Sequence, residues 1–234
     1  FVGLAGGSFS VGTPYVARWF KKEQQGLAMG VFGAGNSGAA VNKFIAPALI
    51  AAGGWTLVPQ VYASVMLVTA ILFWFFSHHE PAHTTGKSVT FTQQLKVLGD
   101  RRVWRYSQYY SVVFGGYVGL ALWMTKYYVG EYGFDIKSAA FLAACFSLPG
   151  GFLRAMGGWM SDKYGAYKTT WRVMWVLWVC FFILSYPQTE MVISTVTGPK
   201  AVSIGLNTWV FTIVMFIAGI AMAIGKASVF KFIS

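Results

Sequence analysis

The chain is built from apolar runs that are each about as long as a lipid bilayer is thick. A helix needs about 20 apolar residues to cross the hydrocarbon core, because each residue adds about 1.5 Å of length. Charged residues make up only 11% of the chain, and the alternation of a transmembrane β-strand is absent. This pattern predicts an all-α membrane protein and excludes a soluble domain. About seven spans fit the length rule, at 2–20, 26–52, 57–77, 103–126, 138–160, 172–186 and 206–224.

The basic residues favour one orientation in the membrane. Lysine and arginine are concentrated after the first, third and fifth runs, and the alternate loops hold only Lys126, Lys137 and Lys200. Short loops rich in these residues stay in the cytoplasm, so we expect the first run to cross from the outside inwards. The net charge of +11 is spread over separate loops and does not form a patch for nucleic acid. The expected cytoplasmic cations are Arg18, Lys21, Lys22, Lys87, Lys96, Arg101, Arg102, Arg105, Lys163, Lys168 and Arg172.

The chain is interpreted as an internal piece of a larger membrane protein, since it begins with phenylalanine and shows no signal peptide. Its longest polar stretch ends in "FTQQLKVLGDRRVW", a pattern typical of a short amphipathic helix on the cytoplasmic surface. We predict the end of one helical bundle at 1–77, a cytoplasmic linker at 78–102 and the start of a second bundle at 103–234. Two bundles joined in this way are typical of transporters with two halves.

Cysteine and histidine give no support for a cofactor or a metal site. Cys145 and Cys180 lie in different apolar runs, where a cysteine is most simply a small packing residue. His78, His79 and His83 lie together in the linker, where a metal clip is one interpretation and a solvated linker is the favoured one. No histidine lies within a run, where a haem ligand would be needed. We predict no cofactor, no metal and no enzymatic activity.

The charged residues inside the runs are all cations. The acidic residues map to loops, whereas Arg154 and Lys43 lie within runs and Lys226 lies near the inner end of the last run. A charge at the centre of a membrane helix costs about 2.5–3.5 kcal/mol on insertion scales, so such residues tend to face a cavity and a partner. Because no carboxylate of the chain can be that partner, a mobile anion is the natural candidate.

Arg154 is the strongest candidate for contact with an anion. It precedes Asp162 by two turns, which places it about 12 Å deep by helical rise. An arginine at that depth either snorkels towards the interface or binds a ligand, and its depth favours the second interpretation. Pro149, Gly150 and Gly151 precede it and are expected to loosen the helix and to clear space beside the guanidinium.

The segment "GVFGAGNSGAAVNKFIAPALI" combines an apolar run with an unusual number of glycines. Gly26, Gly30, Ala34 and Gly38 recur every four residues, which predicts a smooth stripe on which another helix can lie backbone to backbone. Tight packing alone explains this stripe. It does not explain the further small and polar residues that lie off it.

Those further residues predict the lining of a cavity at a common depth. Gly33 and Gly35 lie beside Asn36, whose amide is about 15 Å deep by helical rise. On two other runs, Phe9 and Phe114 lie at about 13–17 Å by the same measure, level with Arg154. Tyr110 lies one turn below Phe114 on the same helix face. Any one of these aromatic residues could be ordinary packing, but an amide, an arginine and aromatic rings at one depth indicate a site.

Several stretches resemble the nitrate/nitrite porter family of the major facilitator superfamily. "AGGSF…RWFKKEQQGLAMGVFGAGNSGAAVNKFIAPALI" is similar to the family's fourth and fifth helices, and "GVFGAGNSGAAV" within it is similar to the first nitrate signature. "YSVVFGGYVGL" resembles the seventh helix, and "RAMGGWMSDKYG" resembles the eighth helix and the following loop. The resemblance extends over essentially the whole chain, as helices four to ten of an expected twelve.

The resemblance implies roles for individual residues. It makes Arg154 an anion-binding arginine and Tyr110 a hydrogen-bonding neighbour, with an aromatic pair on either side of a flat nitrate ion. The family's second substrate arginine and second nitrate signature would lie on helices outside the chain. The implied aromatic pair is Phe9 and Phe114, and the implied signature lining is Gly33, Gly35 and Asn36.

The resemblance also implies a multi-pass carrier of the inner membrane, embedded in the lipid bilayer, which moves nitrate and nitrite by alternating access. Lys43 and Lys226 resemble the branch associated with proton-coupled nitrate uptake, yet exchange of nitrate for nitrite needs no proton. Antiport and symport therefore both stay open. The alternatives are a carrier for another small anion, or a membrane subunit or receptor that transports nothing.

Overall fold

The protein is described by a computed structural model over residues 2–77, 90–186, 189–196 and 198–233. Each of the seven predicted runs is helical over most of its length, so the prediction of a helical membrane protein is confirmed. The elements are α1 (Val2–Trp19), α2 (Gln25–Gly33), α3 (Gly38–Gly53), α4 (Leu57–Phe76), α5 (Phe91–Lys96), α6 (Arg101–Tyr110), α7 (Gly116–Tyr132), α8 (Ile136–Tyr164), α9 (Ala166–Leu184), β1 (Thr189–Thr195), β2 (Gly198–Ile204) and α10 (Thr208–Ile233).

Two of the predicted runs contain an irregular turn. A 3₁₀ turn at Ala34–Ser37 separates α2 from α3, and a π-helical turn at Ser111–Gly115 separates α6 from α7. Glycines lie in or beside both turns, and glycine weakens the preference for a regular helix. The other predicted runs are continuous. Among the described residues, three helices are long and apolar enough to cross a membrane by themselves, namely Leu57–Phe76, Ile136–Tyr164 and Thr208–Phe232.

Helix α8 is the centre of the described fold, and α2, α7, α9 and α10 pack against it. Two Gly-Gly pairs, seven residues apart, leave backbone exposed on two sides of α8 at an interval of two turns. A Cβ atom at Gly150 would collide with an aromatic ring of α7, and one at Gly157 would collide with the backbone of Ile224 in α10. Gly151 and Gly158 face the 3₁₀ turn and α2 in the same way.

Helix α8 begins, on its predicted outer side, at a capping aspartate. The carboxylate of Asp135 accepts hydrogen bonds from the backbone N–H groups of Lys137 (3.1 Å) and Ser138 (3.2 Å). The Ser138 side chain and these backbone groups hold the pKa of Asp135 below its usual value. Because folding lowers this pKa, the cap stabilises the helix above the ordinary titration range of aspartate. The stabilisation is lost as the pH falls through the lowered pKa.

A two-stranded antiparallel hairpin connects α9 to α10 on the predicted outer side. Its register runs from Thr189 opposite Ile204 to Thr195 opposite Gly198, and Gly198 has a φ of 118°, which suits glycine. The hairpin differs from the loop that the sequence predicts for this segment. Strand β1 is rich in β-branched residues, namely Thr189, Val192, Ile193 and Thr195, which fit a pleated surface.

All ten tryptophans lie on the surface, nine of them on helices and Trp55 in the turn between α3 and α4. Each is at least 43% exposed, and tryptophan is enriched where a protein meets the membrane interface. Four aromatic residues form a row along α9, with neighbouring ring centroids 5.6, 5.6 and 6.0 Å apart. Lipid is the natural neighbour of such a surface. The row consists of Trp171, Trp175, Trp178 and Phe182.

Some predicted features fall outside the described residues. His78, His79 and His83, together with most of the predicted linker, belong to this part of the chain, and so does the side chain of Lys43. Among the described residues, no cluster of potential metal ligands is found. The predicted surface helix is only partly present, because it stops before Asp100, whose carboxylate caps α6 by accepting from the N–H group of Arg102 at 2.8 Å.

The expectation that all acidic residues lie in loops needs a small correction. Glu131 and Asp162 lie in the last turns of α7 and α8, and Glu190 lies in β1. Helices α7 and α8 run further than predicted, because each continues past the apolar run to a terminating glycine with positive φ, Gly133 and Gly165 respectively. These carboxylates are still at helix ends or outside the helices, and not in the middle of a span.

Candidate functional site

Direct backbone contact between α2 and α8 closes the predicted cytoplasmic half of the structure. A Cβ atom on Gly158 would lie 1.9 Å from the carbonyl oxygen of Gly26. One on Gly30 would lie 2.7 Å from the carbonyl oxygen of Arg154. Only glycine permits so close an approach. The prediction that the glycines of α2 pack against another helix is therefore confirmed.

The contact stripe on α2 follows the helical period and not a strict spacing of four. It runs through Gly26, Gly30, Gly33 and Ser37, each of which meets α8 closely. An α-helix repeats every 3.6 residues, so positions spaced by four drift away from the contact face. A Cβ atom on Gly38 would meet no atom of the described residues within 4 Å. The predicted membership of Gly38 in the stripe is therefore wrong.

Asp162 joins the predicted cytoplasmic ends of three helices. Its carboxylate accepts hydrogen bonds from the backbone N–H groups of Gly26 (3.0 Å) and Leu27 (2.8 Å) at the start of α2. The ammonium of Lys231, from α10, lies 2.7 Å from the same carboxylate. Because a helix N-terminus carries a partial positive charge, this one carboxylate stabilises both α2 and the nearby lysine.

Arg154 lies within α8 and is 1% exposed. Its three side-chain nitrogens have no hydrogen-bond partner among the described residues, and the same is true of the buried amide nitrogen of Asn36. All four of these atoms are N–H donors. The missing partner must therefore supply acceptor atoms. No carboxylate of the described residues pairs with this guanidinium.

Five aromatic rings form one connected group, which we call the aromatic cluster, and two of them lie on the guanidinium. Cζ of Arg154 is 5.3 Å from the ring centroid of Phe9 and 5.2 Å from that of Phe230, within the range of a cation–π interaction. These two rings also contact each other, with centroids 5.5 Å apart. The aromatic cluster consists of Phe9 (α1), Phe32 (α2), Tyr110 (α6), Phe114 (π-helical turn) and Phe230 (α10).

Three predicted site residues come together with Arg154 in this cluster. Phe9 lies on the guanidinium itself, and Tyr110 packs edge-on against Phe230, the other ring on the guanidinium, with centroids 5.0 Å apart. Phe114 stacks on Tyr110, with centroids 5.1 Å apart, and joins the cluster through that ring. The ring that shares the guanidinium with Phe9 in this structure is Phe230. The predicted pairing of Phe9 with Phe114 around an anion stays a prediction.

The three predicted signature residues have different surroundings. A Cβ atom on Gly33 would lie 2.1 Å from Nε of Arg154, so the missing side chain leaves room for the guanidinium. Asn36 is half-buried in the 3₁₀ turn, one turn beyond Gly33. Gly35 is exposed, and a Cβ atom there would meet no atom of the described residues within 4 Å.

The Pro-Gly-Gly sequence before Arg154 does not clear space as predicted. Helix α8 continues through it without a break. A Cβ atom on Gly150 would lie 2.2 Å from the ring of Tyr117, and one on Gly151 would lie 2.4 Å from Cβ of Ser37. The expectation of a loosened helix beside the guanidinium is wrong, because both glycines serve close packing.

Two side chains of α10 belong to this region and were not among the predicted site residues. Phe230 packs on the guanidinium, and Lys226, one turn earlier, is 0% exposed. Nζ of Lys226 donates a hydrogen bond to the carbonyl oxygen of Gly150 at 2.9 Å and lies 3.4 Å from the ring centroid of Tyr117. The spacing of four residues puts Lys226 and Phe230 on one helix face, and this signal could have identified them.

Comparison with known proteins identifies the family. The sequence pattern of the Major Facilitator Superfamily matches residues 1–234, the whole of the chain. The chain therefore belongs to the major facilitator superfamily and is a multi-pass membrane protein of a transporter family, as predicted, and not an enzyme. No solved structure matches the chain.

Similar proteins within this superfamily carry the names of nitrate and nitrite transporters. "Probable nitrate/nitrite antiporter NarK1" of Thermus thermophilus is 41% identical over 99% of this chain and 55% of its own length. "Probable nitrate transporter NarT" of Staphylococcus haemolyticus is 30% identical over 100% of this chain and 55% of its own. "Nitrite extrusion protein" of Bacillus subtilis is 30% identical over 97% of this chain and 58% of its own length. The predicted family resemblance is confirmed, and the chain spans about half the length of the curated relatives it matches.

Proposed function

We propose that the chain forms part of an inner-membrane carrier for nitrate and nitrite that works by alternating access. The printed names of its relatives support these substrates. The observation in the chain itself that carries the proposal is Arg154, a buried cation whose three side-chain nitrogens lack a partner among the described residues. A small oxyanion supplies both the missing charge and the missing acceptors.

The shape of the guanidinium suits a planar oxyanion. Its N–H groups form a rigid planar fork that binds two oxygens at once, and nitrate and nitrite are both flat ions with acceptor oxygens and a single negative charge. The faces of Phe9 and Phe230 carry negative quadrupole density, so they attract the guanidinium and not the anion. We infer that Arg154 provides the attraction and that the aromatic cluster keeps water away from the site.

The contact between α2 and α8 is the natural cytoplasmic barrier of the carrier. In the proposed mechanism, the bundles at 1–77 and 103–234 rock against each other about the site, connected by the linker at 78–102. Opening towards the cytoplasm then separates the glycine stripe of α2 from α8. Because Gly33 lies directly against the guanidinium, this motion changes the surroundings of the bound anion.

Replacement of Arg154 tests the proposal most directly. Arg154→Lys keeps a positive charge but loses the planar fork, and Arg154→Ala loses both. Breaking a buried charge pair costs about 3–5 kcal/mol, or about two to four decades of affinity. We expect Arg154→Lys to fall at the lower end of this range and Arg154→Ala to be worse. Nitrate affinity is measured on the purified full-length protein, and nitrate uptake in proteoliposomes.

Arg172→Lys is the matched control, because Arg172 is an exposed arginine of α9. It should bind nitrate like the wild type. Near wild-type nitrate affinity in Arg154→Lys would falsify the proposed site, since an arginine with a purely structural role can be replaced by another long cation. Competition by sulfate as strong as competition by nitrite would instead show that the carrier serves a broader class of anions.

A further inference from the structure

Lys226 is a second buried cation near Arg154, and anion binding at Arg154 alone leaves it without a role. Its ammonium has one hydrogen-bond acceptor, the carbonyl oxygen of Gly150, and one ring face, that of Tyr117. Among the described residues, no carboxylate pairs with it. A buried lysine that lacks a counter-ion is rarely retained for stability alone, because removing its charge from water is costly.

The two cations are coupled through α8. Gly150, which accepts the hydrogen bond of Lys226, lies one turn before Arg154 on that helix. Lys226 is within electrostatic range of the guanidinium, and like charges repel more strongly in a buried site than in water. One monovalent anion neutralises one of the two charges. The second positive charge is therefore favourable only while an anion occupies the site.

We propose that Lys226 carries the coupled proton of this transporter. One proton binds the Lys226 amine when one nitrate ion binds Arg154, and both leave together on the other side of the membrane. The bound proton and the bound nitrate ion add one positive and one negative charge, so the net charge of the site is the same whether it is occupied or empty. This inference rests on the proposed function, since it assumes that Arg154 binds the anion.

The chemistry of the two cations assigns the proton to the lysine. A guanidinium keeps its proton in proteins, whereas a buried lysine amine can lose one. The surroundings of Lys226 suit both forms, because a carbonyl oxygen accepts an N–H bond from an amine or from an ammonium. The ring of Tyr117 adds an attraction that acts on the ammonium alone. Its hydroxyl donates to the carbonyl oxygen of Ser147 at 2.7 Å, so the ring is held in place.

No other ionisable group in the described part of this region is suited to the role. Helix α2, the 3₁₀ turn and the π-helical turn contain no ionisable side chain. Asp162 and Lys231 are already paired with each other at the helix ends. The remaining ionisable groups lie on the helices packed against α10. Those of α6 and α7 are Tyr106, Tyr109, Tyr110, three exposed arginines, Tyr117, Lys126, Tyr127, Tyr128, Glu131 and Tyr132. Those of α8 and α9 are Lys137, Cys145, Lys163, Tyr164, Tyr167, Lys168, Arg172 and Cys180.

The test follows protons and nitrate at the same time. The purified full-length protein is reconstituted into liposomes that contain a pH-sensitive dye, and an inward nitrate gradient is applied. We expect the wild type to acidify the lumen with one proton for each nitrate taken up. Its nitrate Kd should also rise as the pH rises and the Lys226 amine loses its proton. The expected increase is up to about tenfold per pH unit, which is the slope of one linked proton. Both measurements use the wild type, so neither depends on the folding of a variant.

Lys226→Arg fixes the second charge and so should separate exchange from net uptake. Net uptake requires the empty carrier to change back to its outward-facing state, and a permanent second charge in the empty site makes that step costly. Exchange of nitrate for nitrate never requires an empty site. We expect the ratio of net uptake to exchange to fall by at least about tenfold, within the usual range of linked binding, and the nitrate Kd to lose its pH dependence. Lys126→Arg is the matched control, because Lys126 is exposed on α7, and it should keep the wild-type ratio.

The outcomes distinguish this inference from the proposed function. Nitrate uptake by the wild type without proton movement overturns the role of Lys226 and leaves the nitrate carrier intact. A Lys226→Arg protein that still acidifies the lumen and keeps the pH dependence of its Kd overturns that role as well. A wild-type protein that binds no nitrate at any pH overturns the proposed function itself.

Discussion

Two halves of one glycine-rich segment behave in opposite ways. From Gly26 to Gly33, α2 lies backbone to backbone on α8, whereas Gly35 and Gly38 meet no atom of the described residues within 4 Å. Both halves are rich in glycine. What differs is the phase of each glycine relative to the 3.6-residue period of the helix, together with the 3₁₀ turn that redirects the chain after Gly33.

We call the part from Gly26 to Gly33 the closed half of this segment and the part from Gly35 to Gly38 the open half. The closed half is also the half that lies next to buried and paired charged groups. Asp162 receives two backbone N–H groups of α2 and the ammonium of Lys231, and Arg154 lies between the two Gly-Gly pairs of α8. Beyond the 3₁₀ turn, α3 is largely exposed. Close packing therefore accompanies the charged groups, and the contact that holds the two helices together also encloses Arg154.

The largest expected effect is that of a bulky residue inside the closed half. Gly30→Leu would place a side chain against the backbone of α8, where even a Cβ atom lies 2.7 Å from a carbonyl oxygen. Overpacking against backbone that cannot move should lower the free energy of unfolding by about 3 kcal/mol and abolish nitrate uptake. Thermal unfolding in detergent and uptake in proteoliposomes measure the two effects.

Gly38→Leu is the matched control from the open half, and we expect its free energy of unfolding to change by less than about 0.5 kcal/mol. Equal unfolding temperatures for the two variants would show that the closed contact does not contribute to stability. A larger loss in Gly38→Leu than in Gly30→Leu would show that the strict spacing of four, and not the helical period, defines the contact.

A smaller effect is expected from neutralising the charge at the closed end. Asp162→Asn keeps the shape of the side chain but removes the ion pair with Lys231 and the charge that faces the start of α2. We expect the free energy of unfolding to fall by about 1–2 kcal/mol, since the lost hydrogen bonds involve a charged and partly buried group. Glu131→Gln, at an exposed position on α7, is the control. An unfolding temperature for Asp162→Asn equal to that of the control contradicts the role assigned to Asp162.

The smallest effect tests the boundary between the two halves. Gly33→Ala adds a Cβ atom 2.1 Å from Nε of Arg154, and a flexible side chain can yield to it more easily than backbone can. We expect nitrate affinity to fall by about tenfold, or about 1.4 kcal/mol, with little change in unfolding temperature. Gly35→Ala should weaken nitrate binding less. The reverse order, measured by titration with nitrate, would assign the site to the open half.

The sequence was most informative where the bilayer imposes a length. Each apolar run is mostly helical, and residues predicted at a common depth, such as Phe9, Phe114 and Arg154, lie in or beside one aromatic cluster. Phe230 was missed because the last run was predicted to end at 224, whereas α10 continues to Ile233. That extension brings Lys226 into the interior of the helix and places Phe230 on the guanidinium.

Other details depend on packing that a single sequence does not encode directly. Whether a glycine near Arg154 leaves a cavity or admits a neighbour depends on what approaches it, and at Gly150 the ring of Tyr117 fills the space. The hairpin was missed for a different reason. Two strands of seven residues each carry only a weak signal beside helices of about 20 residues.

The exposed position of every tryptophan has a spectroscopic consequence. The indole rings of α9 lie close together on the outer surface, and no member of the aromatic cluster is a tryptophan. Intrinsic fluorescence of this protein should therefore respond to lipid composition and to quenchers attached to acyl chains, and hardly at all to nitrate. A tryptophan introduced in place of Phe32, at the edge of the aromatic cluster, would provide an optical signal from the interior against that constant background.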